Sequence, residues 1–271
     1  MLISIITPTF NSSENIEKCI RSIIQQNHKE FEHIIIDNLS TDDTLTKAKN
    51  IYSDNNLISK LRIISEKDNG ISDAFNKGIR LAKGDVINIL NSDDYYFADS
   101  IFEKVIEAFK NKSVLFVHGN ILFIDKTYGS NIRRPLLCNI KKAMPFNHPT
   151  MFVSKKLYDQ TGGYDNNYKY AMDFDFVCKV KDTFDDLNSI SFYIQGDPIT
   201  VMRAGGASWM NESKSIEEIK KILIRHKLWD STAKTNYFLR FFRLRIKTIL
   251  SFVGLNYFIK VWRRNKWKSN N

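Results

Sequence analysis

Asp93 and Asp94 stand side by side at the end of an apolar run, Val86-Ile87-Asn88-Ile89-Leu90, in the segment Asn91-Ser92-Asp93-Asp94. Two adjacent carboxylates repel each other unless a cation sits between or beside them. Hard divalent ions such as Mg²⁺ and Mn²⁺ take oxygen ligands and share coordination with substrate phosphates. The competing reading is a helix N-cap ahead of residues 95–109. Asp37 directly follows Ile34-Ile35-Ile36. A carboxylate at such a strand end commonly accepts a hydrogen bond from a ribose hydroxyl or base N–H, and its alternative is a turn residue bracing Ser40-Thr41. Asp173 and Asp175 are two apart, so on one helix at most one of them faces a given pocket. Asp173 in a first helical turn is a cap or a general base, and taken alone it reads as a cap. His148, before Pro149 in a loop, taken alone reads as a hydrogen-bonded structural histidine.

The elements that must position these groups are legible as alternating periods. Ile3-Ser4-Ile5-Ile6 is an apolar strand expected to stop at Thr7-Pro8-Thr9. Asn11 with Glu14 three residues on fits a capping box. Ile16, Ile20, Ile23 and Ile24 then recur at helical spacing. His33–Ile36 and Leu61–Ile64 read as the second and third strands, with a helix start at 40–43 between them. Ile71, Ala74, Phe75, Gly78, Ile79 and Ala82 make one helical stripe, ended by Gly84, before the fourth strand, 86–90. Such alternation predicts an α/β fold with a mostly parallel central sheet covered by helices on both faces. Ligands of such sheets sit beyond the carboxyl ends of the strands. There the polar groups collect: Thr7-Pro8-Thr9, Asp37-Asn38, Glu66-Lys67-Asp68 and Asn91-Ser92-Asp93-Asp94. Further on, 114–117 and 121–124 read as two strands joined by His118-Gly119-Asn120. Residues 146–153 form a loop entering a strand, Gly162-Gly163 a turn, Asp173 onward a helix, and Gly205-Gly206 a flexible loop. The chain divides at 1–113, 114–230 and 231–271, the first two packing as one unit.

Composition narrows the classes. The 271 residues are 43% hydrophobic and 26% charged, which excludes a disordered chain, a collagen-like repeat and a polytopic membrane protein. Cys19, Cys138 and Cys178 are far apart with no C-x-x-C pair, which points to buried thiols in a reducing compartment. Residues 1–230 carry 30 Lys+Arg and 30 Asp+Glu, whereas 231–271 carry ten basic residues and no acidic one. The neutral body argues against nucleic acid, and the cationic tail argues for an anionic surface. Met1-Leu2-Ile3-Ser4 lacks a basic n-region, so no signal peptide is expected. The longest uncharged tail run, 248–259, is twelve residues, against about 20 for a spanning helix. Phe238, Phe241, Phe242, Ile246, Ile249, Leu250 and Val253 recur at helical spacing, with Arg240, Arg243 and Lys247 as another stripe and Tyr257-Phe258-Ile259, Trp262 and Trp267 beyond. That pattern reads as an interfacial membrane anchor, against a helix docked on the body with its basic face in water. No zinc spacing, Gly-x-Ser-x-Gly, phosphate-loop or dinucleotide fingerprint is present.

Taken together, several ordered motifs resemble family 2 glycosyltransferases. They are 4–11 (Ser-Ile-Ile-Thr-Pro-Thr-Phe-Asn), 35–42 (Ile-Ile-Asp-Asn-Leu-Ser-Thr-Asp), 65–78 (Ser-Glu-Lys-Asp-Asn-Gly-Ile-Ser-Asp-Ala-Phe-Asn-Lys-Gly) and Asn91-Ser92-Asp93-Asp94, the last close to an Asp-x-Asp region. The third is similar to a segment of a bacterial polysaccharide subgroup. The resemblance covers about residues 2–205 and implies a GT-A fold, a divalent metal (Mn²⁺ or Mg²⁺) and transfer with inversion from a nucleotide-diphospho-sugar donor. It places Pro8 and Thr9 in the nucleotide pocket, and Asp37, Asn38, Asp68 and Asp73 on base or ribose. Asn91, Asp93 and Asp94 fall at the diphosphate, the two aspartates as metal ligands. Asp173 becomes the base, and His148 and Arg203 flank donor or acceptor. Asn91, Asn38 and Met172 depart from acidic residues common in the family. The resemblance implies an enzyme of bacterial surface polysaccharide synthesis, UDP-sugar favoured, acting on a glycan or lipid-linked hydroxyl at the inner face of the cell membrane. A sugar nucleotidyltransferase and a non-catalytic nucleotide-binding scaffold with a membrane tail are the alternatives.

Overall fold

In the computed structural model, which describes residues 1–125, 129–205, 211–255 and 257, β1 (Ile3–Thr9) is buried along its whole length. It lies between β2 (Phe31–Asp37) and β4 (Val86–Ile89), parallel to both. β3 (Leu61–Ser65) extends the sheet beyond β2. The apolar runs are continuous because both faces are covered. With a side-chain period of two, Ile6, Ile34 and Ile36 enter one core with Ala74 and Phe75 of α3 (Ile71–Leu81). Ile3, Ile5 and Ile35 enter the other, with α1 (Ile16–Ile24), α2 (Thr44–Asp54) and α4 (Ile101–Phe109). Each fully buried isoleucine contributes about 1.5–3 kcal/mol relative to exposure.

The other side of the sheet is less regular. β9 (Phe152–Ser154) pairs antiparallel with both β4 and β6 (Phe116–Gly119), and β10 (Ser191–Ile194) pairs parallel with β6. The order is β10-β6-β9-β4-β1-β2-β3. A second sheet has the order β5-β11-β7-β8, from Tyr95–Tyr96, Thr200–Arg203, Ile121–Asp125 and Gly129–Arg133. Among the described residues the remaining α-helices are α5 (Lys155–Thr161), α6 (Met172–Thr183), α7 (Glu212–Arg225) and α8 (Ser231–Phe252).

Two expectations are corrected. Pro8 does not stop β1. Its missing N–H faces the β4 side, the side on which the Ile6 carbonyl accepts from Leu90 N, and the β4 ladder has ended there at Ile6↔Ile89. Asn11 does not cap α1, because its φ of 46° is left-handed. Its Oδ1 instead accepts from Thr41 N at 2.9 Å, and α1 begins at Ile16. The two strands expected around 118–120 are present as β6 and β7, and they belong to different sheets. A Cβ on Gly119 would lie 2.5 Å from the Ile199 side chain, so only glycine lets the chain turn between sheets under that residue. Asn120 then holds the crossing, its carbonyl accepting from Ile199 N and its Oδ1 from Tyr193 Oη.

Candidate active site

The β1–β4 pairing ends two residues before Pro8 while β1–β2 continues to Thr9↔Asp37. The sheet therefore parts at its carboxyl edge, and the polar strand ends face this opening. Thr9 Oγ1 is buried without a hydrogen-bond partner. Asp37 is fully buried. Its oxygens accept from Ser40 N at 3.0 Å, Ser40 Oγ at 2.5 Å and Ser65 Oγ at 2.6 Å, so it does brace the Ser40 segment. Asn38 ties the rim together, donating N–H to the Thr9 carbonyl and accepting from Asp68 N at 3.0 Å. Asp68 accepts from Gly70 N, and Asp73 in the first turn of α3 accepts from Asn69 N and pairs with Lys77 at 3.4 Å. Thr9, Asn38 and Asp68 are thus linked directly by hydrogen bonds, with Asp37 and Asp73 held beside them by their own local bonds.

Beyond β4, Asp94 is buried and Asp93 half-buried. Burial pushes both carboxyls up from the usual carboxylate range, and for Asp94 the Asp93 charge adds to the rise. Asn91 Nδ2 donates to Asp94 Oδ2 at 3.2 Å, while its own Oδ1 is buried and unpartnered. Arg203 arrives here because β5 pairs with β11. Its main-chain N–H donates to Asp94, its charge offsets both aspartates, and its Nη1 donates to Asn15 Oδ1 at 2.6 Å. Desolvated carboxylates beside an orphaned amide oxygen make an oxygen-rich donor set of the kind a hard divalent cation takes. Among the described residues no three His, Cys, Asp or Glu gather to hold a metal.

A second cluster surrounds His148. Its Nε2 hydrogen-bonds Tyr164 Oη at 2.8 Å and its ring stacks on Phe75 of α3. Burial lowers its pKa, partly countered by the Asp173 charge. The next residue anchors this loop: the Pro149 carbonyl accepts from Thr200 Oγ1 of β11 at 3.0 Å. Asp173, half-exposed at the start of α6, is uncommitted except to Phe174 N at 2.8 Å. Asp175 points elsewhere. It is fully buried, with His226 Nε2 at 3.0 Å and Lys179 at 3.3 Å, and His226 Nδ1 meets Asp182 at 2.5 Å.

Sequence reasoning missed Glu218 on α7. Its carboxylate accepts three consecutive main-chain N–H groups, Lys169 at 3.0 Å, Tyr170 at 2.8 Å and Ala171 at 2.9 Å. That cradle fixes the entry to α6, two residues before Asp173. Tyr164 was missed as the partner of His148. Neither had a local signal, since Glu218 lies within Glu217-Glu218-Ile219-Lys220, an ordinary amphipathic helix pattern. Gly206 and residues 258–271, including Trp262 and Trp267, lie outside the described residues.

Among protein families, residues 4–171 match Glycosyl transferase family 2. The chain belongs to this family. Chondroitin synthase of Escherichia coli is 29% identical over 234 residues, covering 81% of this chain and 34% of that protein. The chain thus spans about a third of that relative's length. Among solved structures, S. aureus TarS in complex with UDP-GlcNAc aligns with a TM-score of 0.66 at 18% identity, covering 85% of this chain and 68% of that one. The Pyrobaculum calidifontis mannosyltransferase PcManGT, in complex with GDP-Man and Mn²⁺, aligns with a TM-score of 0.64 at 14% identity, covering 99% and 83%. The family 2 chain therefore has the GT-A fold expected from its motifs.

Proposed function

We propose that this protein is an inverting glycosyltransferase of bacterial surface polysaccharide synthesis. It moves a hexosyl or N-acetylhexosaminyl unit from a nucleotide-diphospho-sugar, UDP-sugar favoured, to a hydroxyl of a glycan or lipid-linked acceptor. The observation that carries this reading is the desolvated Asp93–Asp94 pair beside the unpartnered Asn91 Oδ1, set with Arg203 at the parted edge of the sheet. E. coli chondroitin synthase among the relatives, and neighbours solved with UDP-GlcNAc or with GDP-Man and Mn²⁺, support it.

In this reading residues 1–113 bind the donor, 114–230 supply acceptor and catalytic groups, and 231–271 meet an anionic membrane from the cytoplasmic side. Pro8, Thr9, Asp37, Asn38, Asp68 and Asp73 line the nucleotide pocket, with the unpartnered Thr9 hydroxyl offered to the donor. Asp93 would hold Mn²⁺ or Mg²⁺ with Asn91 Oδ1, Asp94 backing them from the buried side. A divalent cation there supplies neutralisation of the charge that gathers on the departing diphosphate. Arg203 adds a fixed positive charge on the same flank. An acceptor hydroxyl is a poor nucleophile at neutral pH, and Asp173 removes its proton as attack proceeds from the face opposite the diphosphate. His148, held neutral by burial, borders donor and base.

The test is thermal unfolding with UDP, GDP and dTDP, with and without Mn²⁺, on the wild type and on Asp93→Asn. A ligand that binds only the folded state adds about 2.7 kcal/mol at a hundredfold excess over its Kd. A metal-dependent rise with one nucleotide, lost in Asp93→Asn, is expected. No rise with any nucleotide in a folded sample would overturn the reading.

A further inference from the structure

α8 has two unlike faces. One is clamped to the body. Ala233 is buried, the Tyr237 ring packs edge-on to Trp229 with centroids 5.4 Å apart, and Lys247 pairs with Glu212 of α7 at 2.6 Å. Asp230 caps the helix through Ala233 N and pairs with Lys141 at 2.6 Å. Arg240 and Lys247 belong to this docked side and are not free in water. The opposite face is open. Phe238, Phe242, Ile249 and Phe252 are 64%, 63%, 61% and 92% exposed, with Leu239, Ile246 and Val253 exposed between them. At 100° per residue these seven side chains occupy an arc of about 140° centred opposite the docked side, along about 22 Å of helix. Leu136, also exposed, shares the rim of an open groove with Leu239 and Arg243. A contiguous apolar strip of this kind on a soluble fold marks an interaction surface.

Charge selects the occupant. Arg243 borders one side of the strip and Lys234 the other, and Arg245 falls within the arc between Phe252 and Phe238, its guanidinium leaning 4.9 Å over the Phe241 ring. Residues 231–271 carry ten Lys+Arg and no Asp or Glu. A second copy of this face would set like charge against like, whereas an anionic bilayer complements both strip and flanks. Among the described residues no helix is long and apolar enough to cross a membrane.

We propose that the exposed face of α8 is a membrane-docking surface for an anionic lipid bilayer. The helix lies in the plane of the interface, with Phe238, Phe242, Ile249 and Phe252 among the acyl chains and Lys234, Arg243 and Arg245 at the lipid phosphates. Its other face keeps hold of α7, whose Glu218 cradles the entry to α6, so the bilayer plane is registered to the helix that carries Asp173. The proposal deepens the reading of an enzyme at the membrane and rests on that reading for its purpose. The binding itself needs no catalysis.

The test is flotation of the full chain with vesicles of phosphatidylcholine alone or with phosphatidylglycerol, beside the nucleotide and Mn²⁺ unfolding assay. The wild type is expected to float with phosphatidylglycerol vesicles, less as salt rises, and not with neutral ones. The combined variant F238S, F242S, I249S and F252S, altered only at exposed positions, is expected to partition about 100-fold less with its nucleotide-dependent Tm rise intact. That intact rise shows that the variant is folded. A wild type that ignores both vesicles, binds neutral ones equally, or is matched by the combined variant overturns the proposal. So does concentration-dependent dimerisation in sedimentation velocity that the four substitutions abolish, which would make the face a subunit interface. Loss of the vesicle result with the nucleotide rise retained defeats this proposal alone, and the converse defeats the enzyme reading alone.

Discussion

Replacing Glu218 by Gln removes one oxygen from a cradle that now takes three main-chain donors at 2.8–3.0 Å. The new amide can keep its oxygen toward Tyr170 and Ala171, but its NH₂ then faces the Lys169 N–H. Lys169 is exposed, so its N–H passes to water, while two bonds to a charged acceptor become neutral ones, weaker by about 1 kcal/mol each. The site is half-buried, so water recovers part of this, and a local loss of about 1–2 kcal/mol is expected. Hydrogen exchange at the 169–171 amides should then rise about 5- to 30-fold, and Tm should fall by about 2–4 °C. Because Asp173 follows two residues later, kcat should fall about 10- to 100-fold, the cost of a displacement of order 1 Å at a reacting group. KM for the donor should hold, since the nucleotide rim shares no contact with Glu218. The assay is nucleotide release coupled to acceptor transfer, normalised to folded protein. If exchange and Tm change as stated while kcat does not, the cradle is structural only and the positioning argument is wrong.

Asp173→Asn should lower kcat by about 10²–10⁴ with donor binding intact, read by the same assay and by nucleotide-dependent Tm. Near-wild-type transfer would remove Asp173 as the base. His226 is raised in pKa first by its hydrogen bond to Asp175 and then by Asp182. The protonated form is therefore favoured by folding, so the contribution is full below the unfolded pKa of about 6.5 and is lost as pH rises through the higher folded value. Urea unfolding of His226→Gln against wild type between pH 5.5 and about 8 should show that slope vanish. Gly78→Ala is expected to destabilise by about 1 kcal/mol in the same assay. A Cβ there meets Ile6 Cγ2 at 2.3 Å, and overpacking of about 1–3 kcal/mol outweighs the roughly 1 kcal/mol a mid-helix glycine otherwise costs. A stabilised variant would show that Ile6 yields.

What could be read in the sequence was whatever has a short period or sits next to itself in the chain. β1, β2 and β4 announced themselves because burial on both faces demands unbroken apolar runs, and the half-buried edge strand β3 and the α3 stripe followed by their own periods. Most rim residues followed because they lie just beyond those runs, Asp73 in the first turn of α3 excepted. β9 was visible only as a strand: nothing in Phe152-Val153-Ser154 states that it runs against its neighbours. Asn11 carried a correct capping chemistry to the wrong partner, Thr41, 30 residues on. Glu218 and His226 act on segments 47–51 residues away, and a side chain's use at that range depends on helix packing that no local pattern encodes. The tail's periodicity was legible, but which stripe faces the body was not, because Arg240 and Lys247 look like solvent residues until Glu212 and α7 are placed beside them.

The three-residue strand β9 has a consequence for how the chain comes to exist. Among the described residues it is the only bonded link between β4 and β6 in the seven-stranded sheet. During synthesis from the N-terminus, β1 to β4 can assemble as soon as they leave the ribosome. The outer edge of β4 then stays bare until Ser154 has followed. An unpaired apolar edge is a template for pairing with another chain. The interval between residues 89 and 154 is thus the period in which a nascent chain is most exposed to wrong partners.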